Sequence, residues 1–151
     1  MDIFSDEGRH IYLFQEYANR GNAYDYLKNG KNVITEKHVC KWAQSIYNGM
    51  DFLGGMGISH RSIQPKHVML KSNECDQVEA KLSGFRDAVI YWDPASSDII
   101  DQPCKPVAKR VYNAFQAPEV FGEEGEFYDP AVADVWSFGC TLFFLAGRAL
   151  P

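Results

Sequence analysis

Residues 134–146 constrain this chain most, because Val135, Trp136, Phe138, Cys140, Leu142, Phe143, Phe144 and Leu145 make the segment apolar on nearly every side of a helix. Such a helix expects burial all round, so the rest of the fold has to be assembled about it. Its longest apolar stretch, residues 138–146, contains Gly139 and Thr141 and falls short of the roughly 20 residues that cross a bilayer, which points to a core helix and no membrane partner. The 151 residues, 46% hydrophobic and 23% charged, suffice for one domain with a packed core, away from the composition of disordered chains. With 15 basic against 20 acidic side chains, the formal charge of −5 gives no electrostatic footprint for nucleic acid.

Alternation and spacing supply the other elements. Asp2-Ile3-Phe4 and Ile11-Tyr12-Leu13-Phe14 flank Ser5-Asp6-Glu7-Gly8-Arg9, which predicts a hairpin, and Tyr24 to Leu27 suits a short helix. From Thr35-Glu36 onward, Val39, Trp42/Ala43, Ile46, Gly49/Met50 and Leu53 recur every three or four residues, the stripe of a longer amphipathic helix. Gly54-Gly55-Met56-Gly57 then follows a helix rather than a strand, so it reads as a helix stop and not as a phosphate cradle. Ile58-Ser59, Val68-Met69-Leu70 and Ala80-Lys81-Leu82 are short strand candidates, and residues 83–116, with Pro94, Pro103 and Pro106, read as a long irregular loop. Cys40, Cys75, Cys104 and Cys140 form no CxxC pair and no apolar leader precedes them, so reduced thiols in a cytoplasmic setting are expected. His60, His67 and Cys75 lie at gaps that match no structural zinc pattern.

The chemistry-bearing residues cluster where a strand, a tight loop and another strand meet. His60-Arg61-Ser62-Ile63-Gln64-Pro65-Lys66-His67-Val68-Met69-Leu70 resembles the catalytic loop of eukaryotic protein kinases, H-R-D-L-K-P-E-N followed by three apolar residues. Three further matches follow in the family's order: Lys81-Leu82-Ser83-Gly84-Phe85-Arg86 for K-L-x-D-F-G, Ala117-Pro118-Glu119 for A-P-E, and Asp134-Val135-Trp136-Ser137-Phe138-Gly139 for D-V-W-S-x-G. Phe14-Gln15-Glu16-Tyr17-Ala18 resembles the hinge. The resemblance implies an α+β kinase-like fold, with strands and hinge in residues 1–18 and an incomplete helical lobe in 19–151. The family's Gly-rich loop, strand Lys and helix Glu have no counterpart upstream of that hinge-like segment.

The resemblance also assigns roles, and the chain departs from several. The base position holds Ser62, a neutral hydroxyl; the Lys of Ser/Thr kinases is Gln64; the metal-binding Asn is His67; and the D-F-G Asp is Gly84. Magnesium prefers hard oxygen ligands, so a His and a Gly do not rebuild its site. Shifting the register to recruit Asp87 would break the matches at Lys81, Leu82 and Phe85. Architectural matches survive in His60 and Phe85, which would stack, in Glu119, and in Asp134, which would anchor the loop. Arg61 matches the Arg that meets an activation-loop phosphate, near Tyr91, Ser96, Ser97 and Tyr112, all of which read first as solvated loop hydroxyls. Glu16 and Ala18 would offer hinge backbone to an adenine of ATP, and Met69 an apolar floor.

These departures make a pseudokinase the leading expectation: a kinase-like module that binds another protein, with no resident cofactor and no metal. A protein serine/threonine kinase with weak or complemented transfer is the rival, and a truncated product without a role is the third reading. Tyr128-Asp129-Pro130 and residues 133–137 and 147–151 are similar to kinases of the calcium/calmodulin-dependent type. A kinase would continue beyond residue 151, so the 134–146 helix is expected to leave an apolar side for a protein partner.

Overall fold

A computed structural model of the chain describes residues 2–6, 10–30, 32–93, 95–99, 113–121 and 127–151. Its elements are three helices and four separate two-stranded antiparallel pairs, an α+β arrangement. β1 (Asp2–Asp6) and β2 (His10–Phe14) form the expected hairpin, with Asp2 opposite Phe14 and Asp6 opposite His10. β4 (Val68–Ser72) and β5 (Val78–Leu82) form a second, in which Val68 faces Leu82.

α1 (Ala23–Lys28) starts where Asn22 accepts the Asp25 backbone N–H at 2.9 Å, satisfying one of the open donors of the first turn. α2 (Glu36–Gly55) begins with a reciprocal cap in which the Thr35 N–H donates to His38 Nδ1 at 3.2 Å. The predicted stripe then packs as the spacing requires. Trp42 and Ile46 are buried, and Trp42 Nε1 donates to the Val78 carbonyl at 3.0 Å, tying helix to hairpin. At Gly49 the helix runs so close to β5 that an added Cβ would sit 3.1 Å from Leu82 Cδ1. Gly54 and Gly55 remain helical, and the chain turns at Gly57 (φ +68°). A Cβ there would lie 1.7 Å from the Trp92 carbonyl oxygen, so only glycine fits.

That close approach explains the first difference from the sequence expectation. Residues 83–116 are not uniformly irregular: β6 (Val89–Ile90) pairs with β3 (Ile58–Ser59), and β7 (Trp92–Asp93) pairs with β8 (Asp98–Ile99). The Gly57 carbonyl accepts from both Tyr91 N at 2.9 Å and Trp92 N at 3.3 Å, which brings this returning chain alongside β3. Residues 100–112, with Cys104 and Tyr112, lie outside the described residues. Cys40, Cys75 and Cys140 are free thiols.

The second difference concerns the apolar helix. α3 spans Pro130–Gly147 and begins a full turn before the expected Asp134, because Asp129 caps the N–H groups of Ala131 and Val132 and Pro130 supplies a preset first turn. At 18 residues it is long and apolar enough to cross a membrane by length and composition, contrary to the expectation from the shorter run. Its inner side nevertheless packs as part of a protein core. Phe144 and Leu145 are buried in the cluster that holds Trp42, Ile46, Ile63, Val68 and Leu70, Tyr24 stacks on Phe144 at 5.3 Å, and Ala133 packs in a second cluster with Ala117, Val120 and Tyr128. Burial is not all round: Val132, Val135, Trp136 and Phe143 stay 51–62% exposed on the outer side.

Candidate functional site

Asp134 organises the site from inside α3. Its Oδ2 accepts from the Ser59 hydroxyl at 2.7 Å and from His60 N at 2.6 Å, and its Oδ1 accepts from Arg61 N at 2.7 Å. Burial raises the Asp134 carboxyl above its ordinary value, and these three donors work against that rise. Arg61 takes a left-handed backbone conformation (φ +60°), and its Nε donates to the Tyr128 hydroxyl at 3.1 Å. Further along, the buried Thr141 hydroxyl donates to the Ile63 carbonyl at 3.4 Å, a second tether from the same helix.

His60 is fully buried and held neutral by geometry. Its Nε2–H donates to the Ser83 carbonyl at 2.9 Å while Nδ1 accepts from Ser62 N at 3.3 Å, which fixes the tautomer. Burial lowers its pKa from the ordinary 6.5, against the opposing pull of the Ser83 bond and Asp134. The Phe85 ring packs against it at 4.8 Å, tilted by 54°, so the two residues that the resemblance places in one column do touch. That contact keeps Phe85 at the family's aromatic position and leaves Gly84 at the D-F-G carboxylate position; Asp87 Oδ1 lies 3.9 Å from Arg86 Nε.

Ser62, Gln64, His67 and Gly84 come together as one cluster. Pro65–His67 form a 3-10 turn, closed by His67 N donating to the Gln64 carbonyl at 2.8 Å. His67 Nδ1 stands 2.7 Å from the Ser62 carbonyl, so that nitrogen carries the proton and donates. The Gln64 amide nitrogen is 3.4 Å from both the Ser62 hydroxyl and His67 Nδ1, long contacts of little strength. Ser62 itself is buried. The arrangement offers no charged base and no acceptor carboxylate, and its polar atoms are turned toward one another. Kinases of this pattern use magnesium, and the residues here do not fit it: a Cβ on Gly84 would lie 2.7 Å from His67 Cγ, so the space that a ligand side chain would need holds an imidazole ring. Among the described residues no group of three His, Cys, Asp or Glu side chains is placed to hold a metal.

Glu16, Ala18 and Met69 line one cleft of about 450 Å³ together with Gln15, Tyr17, Lys71, Lys81, Leu82, Ser83 and Phe85. The hinge segment is positioned by pairing with β4, Arg20 N donating to the Leu70 carbonyl at 3.0 Å and Leu70 N to the Gly21 carbonyl at 2.7 Å. Sequence reasoning missed the side-chain role of Glu16. Its two oxygens take Lys71 Nζ at 2.5 Å and Lys81 Nζ at 2.6 Å, and those hydrogen bonds lower its pKa to about 2. Two lysines on alternate positions of facing strands were the available signal. Glu119 is exposed in the 3-10 turn Pro118–Phe121, and no ion pair among the described residues includes it. The Ser96 hydroxyl donates to Asp93 Oδ2 at 2.8 Å, the local loop contact expected of a solvated serine.

Comparison with known proteins agrees with this geometry. The family model for the protein kinase domain matches residues 1–151. CBL-interacting serine/threonine-protein kinase 20 of Arabidopsis thaliana is 30% identical over 141 residues, covering 93% of this chain and 29% of the relative. CBL-interacting protein kinase 11 of Oryza sativa subsp. japonica is 30% identical over 142 residues, covering 93% of this chain and 26% of the relative. Serine/threonine-protein kinase TOS3 of Saccharomyces cerevisiae is 28% identical over 160 residues, covering 99% of this chain and 28% of the relative. The chain thus spans under a third of the length of these relatives. With four motifs in order, a loop tethered by Asp134 and the contact of Phe85 with His60, the match over its whole length shows that the chain belongs to the protein kinase domain family.

Proposed function

We propose that this chain is a pseudokinase, a cytoplasmic kinase-like module with hinge strands in residues 1–18 and helical-lobe residues in 19–151, which acts by binding another protein. The observation that carries this reading is the Ser62, Gln64 and His67 cluster. A loop tethered at its base by Asp134 presents, where phosphoryl transfer needs a carboxylate base and charged clamps, a hydroxyl, an amide and an imidazole facing one another. A protein partner is favoured by the outer side of α3, with Val132, Val135, Trp136 and Phe143 exposed, and by relatives named for their interaction with CBL. Three free thiols fit a reducing compartment.

The second reading, a serine/threonine kinase with weak or complemented transfer, is favoured by the 450 Å³ cleft, which has the size of an ordinary small-molecule site. Thermal unfolding of the purified chain with and without ATP, each with and without magnesium, decides between them. A ligand that binds only the folded state at 100 times its Kd adds about 2.7 kcal/mol. The pseudokinase reading expects no magnesium-dependent rise in melting temperature; a rise that requires both ATP and magnesium would overturn it in favour of the enzyme.

A further inference from the structure

Gly84 and His67 are 17 residues apart in sequence, yet position 84 has no room for a side chain while the His67 ring is in place. The backbones that carry them are joined twice: Val68 and Leu82 are register partners in the β4 and β5 hairpin, and Ser83 N donates to the His67 carbonyl at 2.9 Å. Gly84 takes φ +81° and ψ +40° against the face of the imidazole. An added Cβ would stand 2.7 Å from His67 Cγ, 2.8 Å from Cδ2 and 3.0 Å from Nδ1. These are ring atoms next to the backbone, not the end of a flexible chain. The ring can swing away only by rotating about its Cα–Cβ bond, and that rotation breaks the 2.7 Å bond from Nδ1–H to the Ser62 carbonyl.

We propose that His67 is a plug interlocked with Gly84: the imidazole occupies the volume that any side chain at position 84 requires, so a divalent cation is shut out of the loop by two residues acting as a unit. A carboxylate at position 84 is therefore admitted only when the ring has gone, and restoring either family residue alone does not reopen the site. The inference rests on the reading of the loop as catalytically degenerate and deepens it, from absent ligands to occupied space.

The test is a double-mutant cycle read by unfolding temperature. Gly84→Ala and Gly84→Asp are each made in the wild-type background and beside His67→Asn, whose amide keeps a donor for the Ser62 carbonyl. His67→Ser repeats the cycle in case the first ring-removing variant does not fold. The cost of a left-handed conformation at position 84 is common to both backgrounds and cancels. Expected is a large fall in melting temperature, or failure to fold, for Gly84→Ala and Gly84→Asp alone, and a markedly smaller fall once the ring is removed. An equal fall in both backgrounds, or failure of every position-84 variant to fold with or without the ring, overturns the interlock. Titration of the wild-type chain with Mn2+, followed by electron paramagnetic resonance, tests the reading beneath it. Binding that His67→Gln abolishes would sink the degenerate-loop reading and the plug together, whereas no binding, or binding that His67→Gln leaves unchanged and that therefore lies outside the loop, is the result both expect.

Discussion

The two halves of the loop between β3 and β4 sit side by side and differ in what their atoms are used for. From Ser59 to Arg61 the working groups are two backbone N–H donors taken by Asp134 and one hydroxyl shared between Asp134 and the Pro130 carbonyl, both acceptors lying on α3. From Ser62 to His67 they are the Ser62, Gln64 and His67 side chains, none of them a carboxylate, with the Gln64 amide 3.4 Å from each of the other two. Holding the loop and doing chemistry on it therefore depend on different atoms, and one set survives here without the other. The largest expected effect is on the holding half. Asp134→Ala leaves the His60 and Arg61 backbone donors without their acceptor, at about 1–3 kcal/mol each, while the Ser59 hydroxyl keeps the Pro130 carbonyl at 2.9 Å. Urea unfolding measures it; a loss below about 1 kcal/mol would show that the loop is held by something other than α3.

The holding half also carries a pH dependence near neutrality. Below pH 6.5 the unfolded chain protonates position 60, while the buried ring, donating to Ser83 and accepting from Ser62, resists the proton. The unfolded state then binds more protons, so stability falls as pH falls from 6.5 toward the lowered folded value, by up to about 1.4 kcal/mol per pH unit, and is fully present above pH 6.5. His60→Phe keeps a ring against Phe85 and removes the titration. The slope of stability between pH 7 and 5 is expected to be shallower in this variant than in the wild type, and an unchanged slope would place the titrating group elsewhere.

Most of this architecture was legible in the sequence because it rests on local pattern or on matched motifs. The stripe from Val39 to Leu53 gave α2 its length and buried face, and the match of Asp134 to Gly139 with a family motif implied the anchor that Asp134 provides. What escaped depends on contacts between distant residues. Two-residue strands such as β6 carry too little pattern to stand out, and β6 exists because Gly57 lets the chain at Trp92 come close. α3 was cut short because the expectation started at the apolar run and passed over the Asp129 and Pro130 cap. Ser62, Gln64, His67 and Gly84 were each legible as departures; that the ring of one fills the space of another was not, since neither residue signals it alone.

On the chemical half the effects should be small. Ser62→Ala removes a hydroxyl whose one side-chain contact, to Gln64 at 3.4 Å, is long, while the backbone bonds to His60 and His67 remain. The expected cost is about 0.5 kcal/mol by urea unfolding. A cost comparable to that of Asp134→Ala would erase the distinction between the two halves.

The smallest effect belongs to Glu16, which joins the hinge to the β4 and β5 hairpin by charge alone. Its carboxylate meets Lys71 and Lys81 at 2.5 and 2.6 Å, and those bonds hold its pKa near 2. The sign follows: a carboxyl with a depressed folded pKa contributes stability above its ordinary 4.5 and loses it as pH falls toward 2. All three side chains are 38–46% exposed, so water and salt screen the attraction and most of the shift does not appear as stability. Glu16→Gln is expected to lower the melting temperature slightly at low ionic strength and not at all in about 1 M salt, where the Debye length is about 3 Å. A fall that persists in high salt would mean that Glu16 sets the hinge by packing or hydrogen-bond geometry, and the cleft would then owe its shape to that side chain as the loop owes its own to Asp134.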